Sequence, residues 1–180
     1  MHHLVLLPCI CTALTAAGLA QTAAPVSPPP PLVPGPEAHQ FDFWIGDWEV
    51  FNSQGQLIAH NKIEVVAGGF ALLENWKVLP ALGGGTGKSL NSYRRATKQW
   101  QQYWVGSGGR TTEYKGGLVD GRMVMVAEQV QANGAIFLTR GTWTPNADGT
   151  VRQQFENSND GGKTWQPGFD GLYRRKKSQI

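Results

Sequence analysis

Cysteine is almost absent from the 180-residue chain, and its two copies, Cys9 and Cys11, both fall within the first twenty residues. We predict that this segment is removed, which leaves no thiol for a disulfide bond, thiolate catalysis or a metal site. Histidine is also scarce, since only His39 and His60 occur after residue 20. Two histidines alone do not make a metal site, so the sequence predicts neither a metal nor a catalytic cysteine.

Charge and helical periodicity are limited as well. Charged residues make up 16% of the chain and the net charge is +3, part of which comes from the basic run at 174–177. Such runs are usually solvated, and no basic surface interleaved with aromatics is evident, so no nucleic-acid partner is predicted. No useful helical period follows residue 48, which argues against parallel βαβ architectures. Abundant glycine (23) and tryptophan (7) instead indicate a β-rich domain.

The first twenty residues have the composition of a targeting segment. Residues 4–7 and 10–20 are apolar, small residues precede Gln21, and the run is short for a membrane span. We interpret residues 1–20 as a cleaved signal peptide, against the alternative of an uncleaved anchor. This predicts a periplasmic or secreted protein with no membrane span after cleavage. Residues 21–36 are a proline-rich linker that cannot pack a core, and residues 37–180 form the predicted domain.

Residues 41–50, FDFWIGDWEV, carry four large apolar side chains at helical spacing: Phe41, Trp44, Ile45 and Trp48. They therefore share one face of a short helical turn. Pro36 is suited to open this turn, and Gly46 is suited to end it in a left-handed conformation. An aromatic plug that runs directly into a strand can close one end of a β-barrel, so Trp44 and Trp48 are predicted to be structural.

After residue 48 the chain alternates short strand-like runs with turn signals. Asp120-Gly121, Asn133-Gly134 and Asp148-Gly149 are dipeptides typical of β-hairpins, and a fourth turn signal lies at residues 160–162. About ten short strands at hairpin spacing are typical of an antiparallel meander that closes on itself. We therefore predict an all-β fold, an antiparallel up-and-down β-barrel of about ten strands with a short N-terminal helical turn.

Two further motifs are interpreted as structural. Residues 83–89, GGGTGKS, only partly resemble a phosphate-binding loop, because Leu82 stands where that pattern requires glycine. We interpret them as a flexible loop at the barrel mouth. Residues 158–165 resemble the Asp-box, a hairpin motif in which Asp160 and its following glycines set the turn while Trp165 packs beneath it.

Gly46-Asp47-Trp48 resembles the G-x-W signature of lipocalins, in which a helical turn precedes the first strand and the tryptophan closes the barrel floor. The resemblance implies a cation–π contact between this tryptophan and an arginine near the last strand, either Arg174 or Arg175. More widely, several segments resemble a bacterial family of exported, lipocalin-like (calycin) proteins catalogued as a domain of unknown function: FDFWIGDWEV, LLENW, GGGTGKS, DGGKTW and FDGLYRR. A more distant similarity is to the nitrobindin group, barrels that bind haem through a late histidine. No histidine follows His60, so no cofactor is predicted.

The leading functional prediction is the binding of a small apolar or amphipathic molecule inside the barrel, outside the cytoplasm. The predicted ligand-binding residues comprise four aromatic wall residues and five polar groups that orient the ligand: Trp76, Tyr93, Trp104 and Trp143, with Glu74, Gln102, Arg140, Gln154 and Glu156. A carboxylate that shares a strand face with Leu72 and Trp76 is costly to bury alone. Arg140 and Arg152 are candidate ion-pair partners for Glu74.

Two alternatives are kept beside this prediction. The first is a barrel enzyme, an isomerase, cyclase or hydrolase, in which Glu74 or Glu156 acts as acid or base. A raised pKa at an internal carboxylate, together with loss of turnover in Glu74→Gln, would favour it. The second is a structural or interaction barrel of the cell envelope that is filled by its own side chains. No spacing marks a catalytic set, so the sequence favours a non-enzymatic binder, and neither ligand identity nor oligomeric state follows from it.

Overall fold

In the computed structural model, which describes residues 32–177, ten strands form one closed antiparallel barrel. The predicted signal peptide and most of the linker lie outside these residues. The strands, numbered in chain order, are β1 (Gly46–Phe51), β2 (Leu57–Val66), β3 (Ala71–Val78), β4 (Thr86–Arg94), β5 (Gln99–Gly106), β6 (Thr111–Val119), β7 (Arg122–Val130), β8 (Ile136–Pro145), β9 (Val151–Ser158) and β10 (Gln166–Arg175). Each strand pairs with its neighbours in sequence, and β1 pairs with β10 to close the barrel. The predicted all-β, up-and-down barrel is confirmed.

Tight turns explain why the chain meanders. Asp120 and Gly121 between β6 and β7 both have positive φ, 49° and 76°, as a two-residue type I′ turn requires, and this turn matches the natural twist of the flanking strands. Gly134 and Gly149 also have positive φ, 79° and 80°, at two of the other predicted turns. The turn residues therefore send each strand back beside the one before it.

The N-terminal turn consists of two short 3₁₀ helices, Pro36–His39 and Asp42–Trp44. The proline opens the first of them, where its missing amide donor costs nothing. The expected role of Gly46 is wrong, because this residue does not end a helix but begins β1. It has a φ of +146°, and a Cβ there would lie 2.1 Å from Nη1 of Arg175, so glycine permits the close approach of this arginine. None of the helices between residues 32 and 177 is long and apolar enough to cross a membrane.

Aromatic side chains fill one end of the barrel, which we call the floor: Phe41, Trp44, Trp48, Trp100 and Trp143, all buried. Phe41 stacks on Trp44 with 4.8 Å between ring centroids. It meets Trp100 and Trp143 edge-on at 5.6 and 5.5 Å. Stacked and edge-to-face contacts of this kind add to the free energy gained from burial alone. Both tryptophans expected to be structural, Trp44 and Trp48, lie in this cluster.

An arginine covers the floor from outside. The Arg175 guanidinium carbon lies 4.3 Å from the Trp48 ring centroid, and its Nη1 donates to the carbonyl oxygen of Ile45 at 2.8 Å. Arg174, the other candidate, lies over Phe51 at 4.6 Å. Residue 175 therefore makes the cation–π contact with Trp48.

Two motifs are placed in more detail. The strand β4 begins at Thr86, so the second half of GGGTGKS is strand rather than loop. In the Asp-box-like hairpin, hydrogen bonds from the hydroxyl and amide of Thr164, and from the Ser158 hydroxyl, lower the pKa of Asp160 to about 2. Trp165 Nε1 donates to the Gly162 carbonyl at 3.0 Å. These contacts stay within the hairpin, which supports its interpretation as a structural motif.

Candidate functional site

A cavity of about 330 Å³ occupies the barrel end opposite the floor, which we call the mouth. Its volume falls in the lower part of the range usual for small-molecule pockets, roughly 300–1,000 Å³. Its lining comes from β3, β5, β6, β8, β9, β10 and the β5–β6 loop: Glu74, Trp76, Gln102, Trp104, Arg110, Thr112, Tyr114, Thr139, Gln153, Phe155, Asn157 and Phe169. The barrel is therefore filled at one end and hollow at the other.

Aromatic rings supply most of the apolar lining. A continuous series of four rings, which we call the aromatic row, borders the cavity: Trp76, Phe169, Phe155 and Tyr114, with neighbouring centroids 5.9, 6.1 and 5.7 Å apart. Trp104 lies against Gly87 of β4, where a Cβ would fall 2.2 Å from the indole ring. Glycine at this position therefore makes room for the indole beside the strand.

Buried polar side chains, joined by hydrogen bonds, lie next to the cavity. This polar belt consists of Asn61, Glu74, Ser89, Asn91, Gln102, Gln153 and Tyr173. Six different strands contribute to it, each with one or two inward-facing residues. Buried polar groups are tolerated when they are paired, and each belt member satisfies part of the hydrogen-bonding capacity of the next.

Glu74 is the charged member of the belt, and it is 3% exposed. Its Oε1 accepts a hydrogen bond from Asn61 Nδ2 at 2.7 Å, and its Oε2 accepts one from Ser89 Oγ at 2.6 Å. Ser89 Oγ itself accepts from Asn91 Nδ2 at 2.8 Å, so the serine proton is directed at the carboxylate. Asn91 Oδ1 in turn accepts from Gln102 Nε2 at 2.8 Å. The belt thus presents fixed donors to both carboxylate oxygens.

The environment of Glu74 favours the protonated, uncharged form of its carboxyl group. Burial raises the pKa of this carboxyl group from 4.5 to about 7, although the hydrogen bonds from Ser89 and Asn61 act in the opposite direction. Glu74 forms no ion pair with either candidate arginine, Arg140 or Arg152. Both arginines occupy outward positions of their strands and therefore do not reach Glu74. Arg140 instead binds Glu156 at 2.7 Å, and Arg152 binds Asp170 at 2.5 Å.

The other side of the belt is built on Tyr173. Its hydroxyl donates to Gln153 Oε1 and accepts from Asn61 Nδ2 at 3.3 Å. Burial, with the nearby Glu74 carboxylate, raises the pKa of this phenol well above its usual value. The phenol is therefore a neutral donor across the physiological range. Asn61 Oδ1 is a buried acceptor without a hydrogen-bond partner among residues 32–177.

Four of the nine predicted ligand-binding residues line the cavity: Glu74, Trp76, Gln102 and Trp104. Two others face inward but lie away from it. Trp143 belongs to the floor, and Tyr93 packs beside Trp100 with 6.4 Å between ring centroids. These two residues were predicted to be wall residues of the ligand site, whereas the aromatic turn fills the end of the barrel in which they lie.

Arg140, Gln154 and Glu156 lie outside the barrel, which corrects their expected place inside it. The cavity-lining residues of β9 are Gln153, Phe155 and Asn157. Gln154 and Glu156 each lie one residue away from these positions, and a shift of one residue along a strand moves a side chain to the other face. Arg140 binds Glu156 through Nε and Nη2 and stacks over Trp165 at 4.1 Å. This outer cluster supports the Asp-box-like hairpin.

Sequence reasoning missed eight of the cavity-lining residues: Arg110, Thr112, Tyr114, Thr139, Gln153, Phe155, Asn157 and Phe169. A signal for β9 was present. Val151 and Phe155 are apolar residues of one parity, whereas Arg152, Gln154 and Glu156 are polar residues of the other. The usual alternation rule places the apolar parity inside. For the threonines and Asn157 no comparable signal exists, because short polar residues are common on both faces of a strand.

No model of a known protein family matches the chain, and no curated protein matches it either. Within residues 32–177, no group of three or more His, Cys, Asp or Glu side chains is placed to hold a metal ion. Fold and site together define a ten-stranded antiparallel β-barrel with an internal cavity at one end. The resemblance to exported lipocalin-like proteins stays a prediction.

Proposed function

We propose that the protein binds a small amphipathic molecule in the mouth cavity of its barrel. The observation that carries this proposal is the cavity itself. The floor is closed by rings packed against one another, whereas at the mouth the aromatic row and Trp104 border about 330 Å³ of space. Ligand sites typically combine aromatic walls with a few converging polar groups, and the polar belt supplies those groups.

The arrangement of the lining favours one orientation of the ligand. Its apolar body lies between the aromatic row and Trp104, and its polar group is directed at Glu74 and Gln102. These two side chains are already buried and hydrogen-bonded within the belt. Binding therefore requires little ordering of side chains, which preserves affinity.

The cellular setting is part of the proposal. The first twenty residues have the composition of a secretory signal, and the chain resembles exported lipocalin-like proteins. The stacking of Arg175 on Trp48 at 4.3 Å is the contact that this resemblance implies. A periplasmic or secreted carrier of a small molecule is the function that these features support together.

Native mass spectrometry of the protein purified from its own host tests the proposal. We expect a small molecule to accompany the protein and to be released on denaturation. Trp104→Ala should reduce the retained fraction, because the side chain lines the cavity. Tyr103→Ala is the matched control, since Tyr103 lies next in β5 but is 48% exposed on the outer face. Empty protein, with no thermal stabilisation by lipids, haem or aromatic compounds, would favour a filled structural barrel instead.

Acid–base catalysis in the same cavity is a second candidate function, and a specific observation favours it. The pKa of Glu74 is raised to about 7, and a catalytic acid or base works best when its pKa lies near the operating pH. The captured molecule provides the test. An enzyme would convert it into a product over time, and Glu74→Gln would bind it without conversion. A molecule that wild-type protein releases unchanged identifies a carrier.

A further inference from the structure

No lysine, arginine or histidine among residues 32–177 forms an ion pair with Glu74. Its hydrogen-bond partners are the amide of Asn61 on β2 and the hydroxyl of Ser89 on β4. The titratable groups that interact electrostatically with Glu74 are two phenols, Tyr114 on β6 and Tyr173 on β10. Arg110 is the one arginine or lysine of the cavity lining, and it is an exposed residue that forms no ion pair with Glu74.

The hydrogen bonds to Glu74 are nevertheless suited to its charged form. Donors from Asn61 and Ser89 reach different carboxylate oxygens at 2.7 and 2.6 Å, and donors of this kind favour the ionised state. Burying a charge without an opposite charge costs several kcal/mol. Two donors thus point at a carboxylate beside the cavity, and no cationic side chain of residues 32–177 pairs with it. A counter-ion can reach this carboxylate from the cavity.

The aromatic lining of the cavity also favours a positively charged ligand. The faces of aromatic rings carry negative potential and attract cations, most strongly when water is excluded. The four rings of the aromatic row and the Trp104 indole surround the space next to Glu74. A carboxylate ligand would instead bring a second negative charge to Glu74, and a neutral alcohol would gain only an ordinary hydrogen bond.

We infer that the ligand is an organic amine, whose ammonium group binds Glu74 and whose apolar body lies among the rings of the mouth cavity. This inference rests on the proposed binding function and names the ligand class of that site. The ammonium group supplies the positive charge that the polar belt lacks. Its N–H donors reach the Glu74 carboxylate as a charge-assisted pair, which is roughly twice as strong as a hydrogen bond between neutral groups.

Matched triplets of compounds test this inference by titration calorimetry on the purified protein. Each triplet joins one apolar body, indole, naphthalene or cyclohexane, to an ethylamine, an ethanol or a propionate chain. At about pH 8 we expect the best amine to bind at least about tenfold tighter than its alcohol, with the carboxylate weakest. The amine preference should fall toward about pH 6, because Glu74 takes up a proton below its pKa of about 7.

The alcohols separate this inference from the function on which it rests. Alcohols that bind as tightly as their amines would overturn the amine inference and leave cavity binding intact. A molecule that is captured from the host and lacks a basic nitrogen would do the same. An empty barrel, with no member of any triplet bound, would overturn both proposals.

A variant pair locates the effect at one carboxylate. Glu74→Gln keeps the side-chain shape and should bring the ratio of amine to alcohol affinity close to one, while alcohol binding persists as evidence of an intact cavity. Glu113→Gln is the matched control, since Glu113 is an exposed residue of β6 outside the cavity lining. An amine preference that survives in Glu74→Gln would contradict the assignment of Glu74 as the ammonium partner.

Discussion

Two tryptophans on one face of β5 have different environments. Trp100 is 1% exposed in the floor, where its Nε1 donates to Gln40 Oε1 at 3.1 Å. Trp104 lies on the same face of β5, and Gln102 of the polar belt separates it from Trp100. Trp104 lines the cavity. The residue type, strand and face are the same, so none of these decides whether a ring packs in the core or borders a site.

What distinguishes the two ends of the barrel is the segment that covers one of them. The 3₁₀ helix Asp42–Trp44 folds under the strands and, with Phe41, brings in rings that fill the floor. At the mouth, short loops join the strands, and a cavity lies between the rings. The rings of the floor stabilise this end of the barrel, whereas the cavity at the mouth is the site at which we propose that a ligand binds, and the polar belt lies beside that cavity.

The largest loss of stability should come from removing an aromatic ring from the floor. Trp100→Ala removes a ring that contacts Phe41 edge-on at 5.6 Å, and large-to-small changes of this kind cost about 3–5 kcal/mol. Trp104→Ala, on the same strand face, should cost about 1 kcal/mol or less, because its ring borders a cavity rather than filling the core. Urea denaturation followed by circular dichroism measures both. Equal losses would refute the division of the barrel into two functional ends.

The next effect, about 3 kcal/mol, concerns the pH dependence of stability. Between about pH 4.5 and about pH 7 the folded protein keeps a Glu74 proton that the unfolded chain has released. The folded state then binds more protons, so this contribution to stability is greatest below the lower value and is lost as pH rises through the upper one. Glu74→Gln should remove this loss. Denaturant titrations of both proteins across this range test it, and parallel pH profiles would count against a buried, proton-binding Glu74.

Much of the barrel is predictable because its signals are local. Hairpin dipeptides such as Asp120-Gly121 fix where the chain reverses, and the aromatic turn before β1 indicates a closed end. Strand alternation also groups Glu74 with Trp76, and Gln102 with Trp104, on one face of its strand, but bulky residues on both faces leave open which face is inward. Such signals depend on backbone geometry and on the period of the side chains, which a single sequence displays directly.

The polar belt was not predictable from the sequence, because its hydrogen bonds form between side chains of different strands. Asn61 and Tyr173 are hydrogen-bonded although 112 positions separate them in sequence. Ser89 and Asn61 are ordinary polar strand residues when each is considered alone. Their role as donors to Glu74 depends on the register in which β2 and β4 pair with β3, which places Ser89 directly opposite Glu74. The contact of Asn61 with Tyr173 also depends on closure, because β10 reaches β2 only through β1, and no local pattern records either feature.

A smaller effect should follow from uncovering the floor. Arg175→Met removes the cation from above Trp48 and the hydrogen bond to the Ile45 carbonyl, and exposed cation–π contacts contribute about 0.5–1 kcal/mol. We expect a loss of about 1 kcal/mol in chemical denaturation. Arg174→Met is the control, because that arginine stacks on Phe51 rather than on a floor residue. A greater loss in the control would show that Arg175 does not hold the floor.

The smallest change in stability is expected at the mouth, where Gly87→Ala tests the position of Trp104 directly. The added Cβ would fall 2.2 Å from the indole, and the ring can move away because it borders the cavity. Stability should change by less than about 1 kcal/mol, but Trp104 fluorescence should shift and ligand affinity should fall as the displaced ring occupies the site. Gly117→Ala on β6 is the matched control, since a Cβ there meets nothing within 4 Å. Should Gly87→Ala instead destabilise the protein as strongly as Trp100→Ala, the mouth would be as tightly packed as the floor, and the cavity could not admit a ligand.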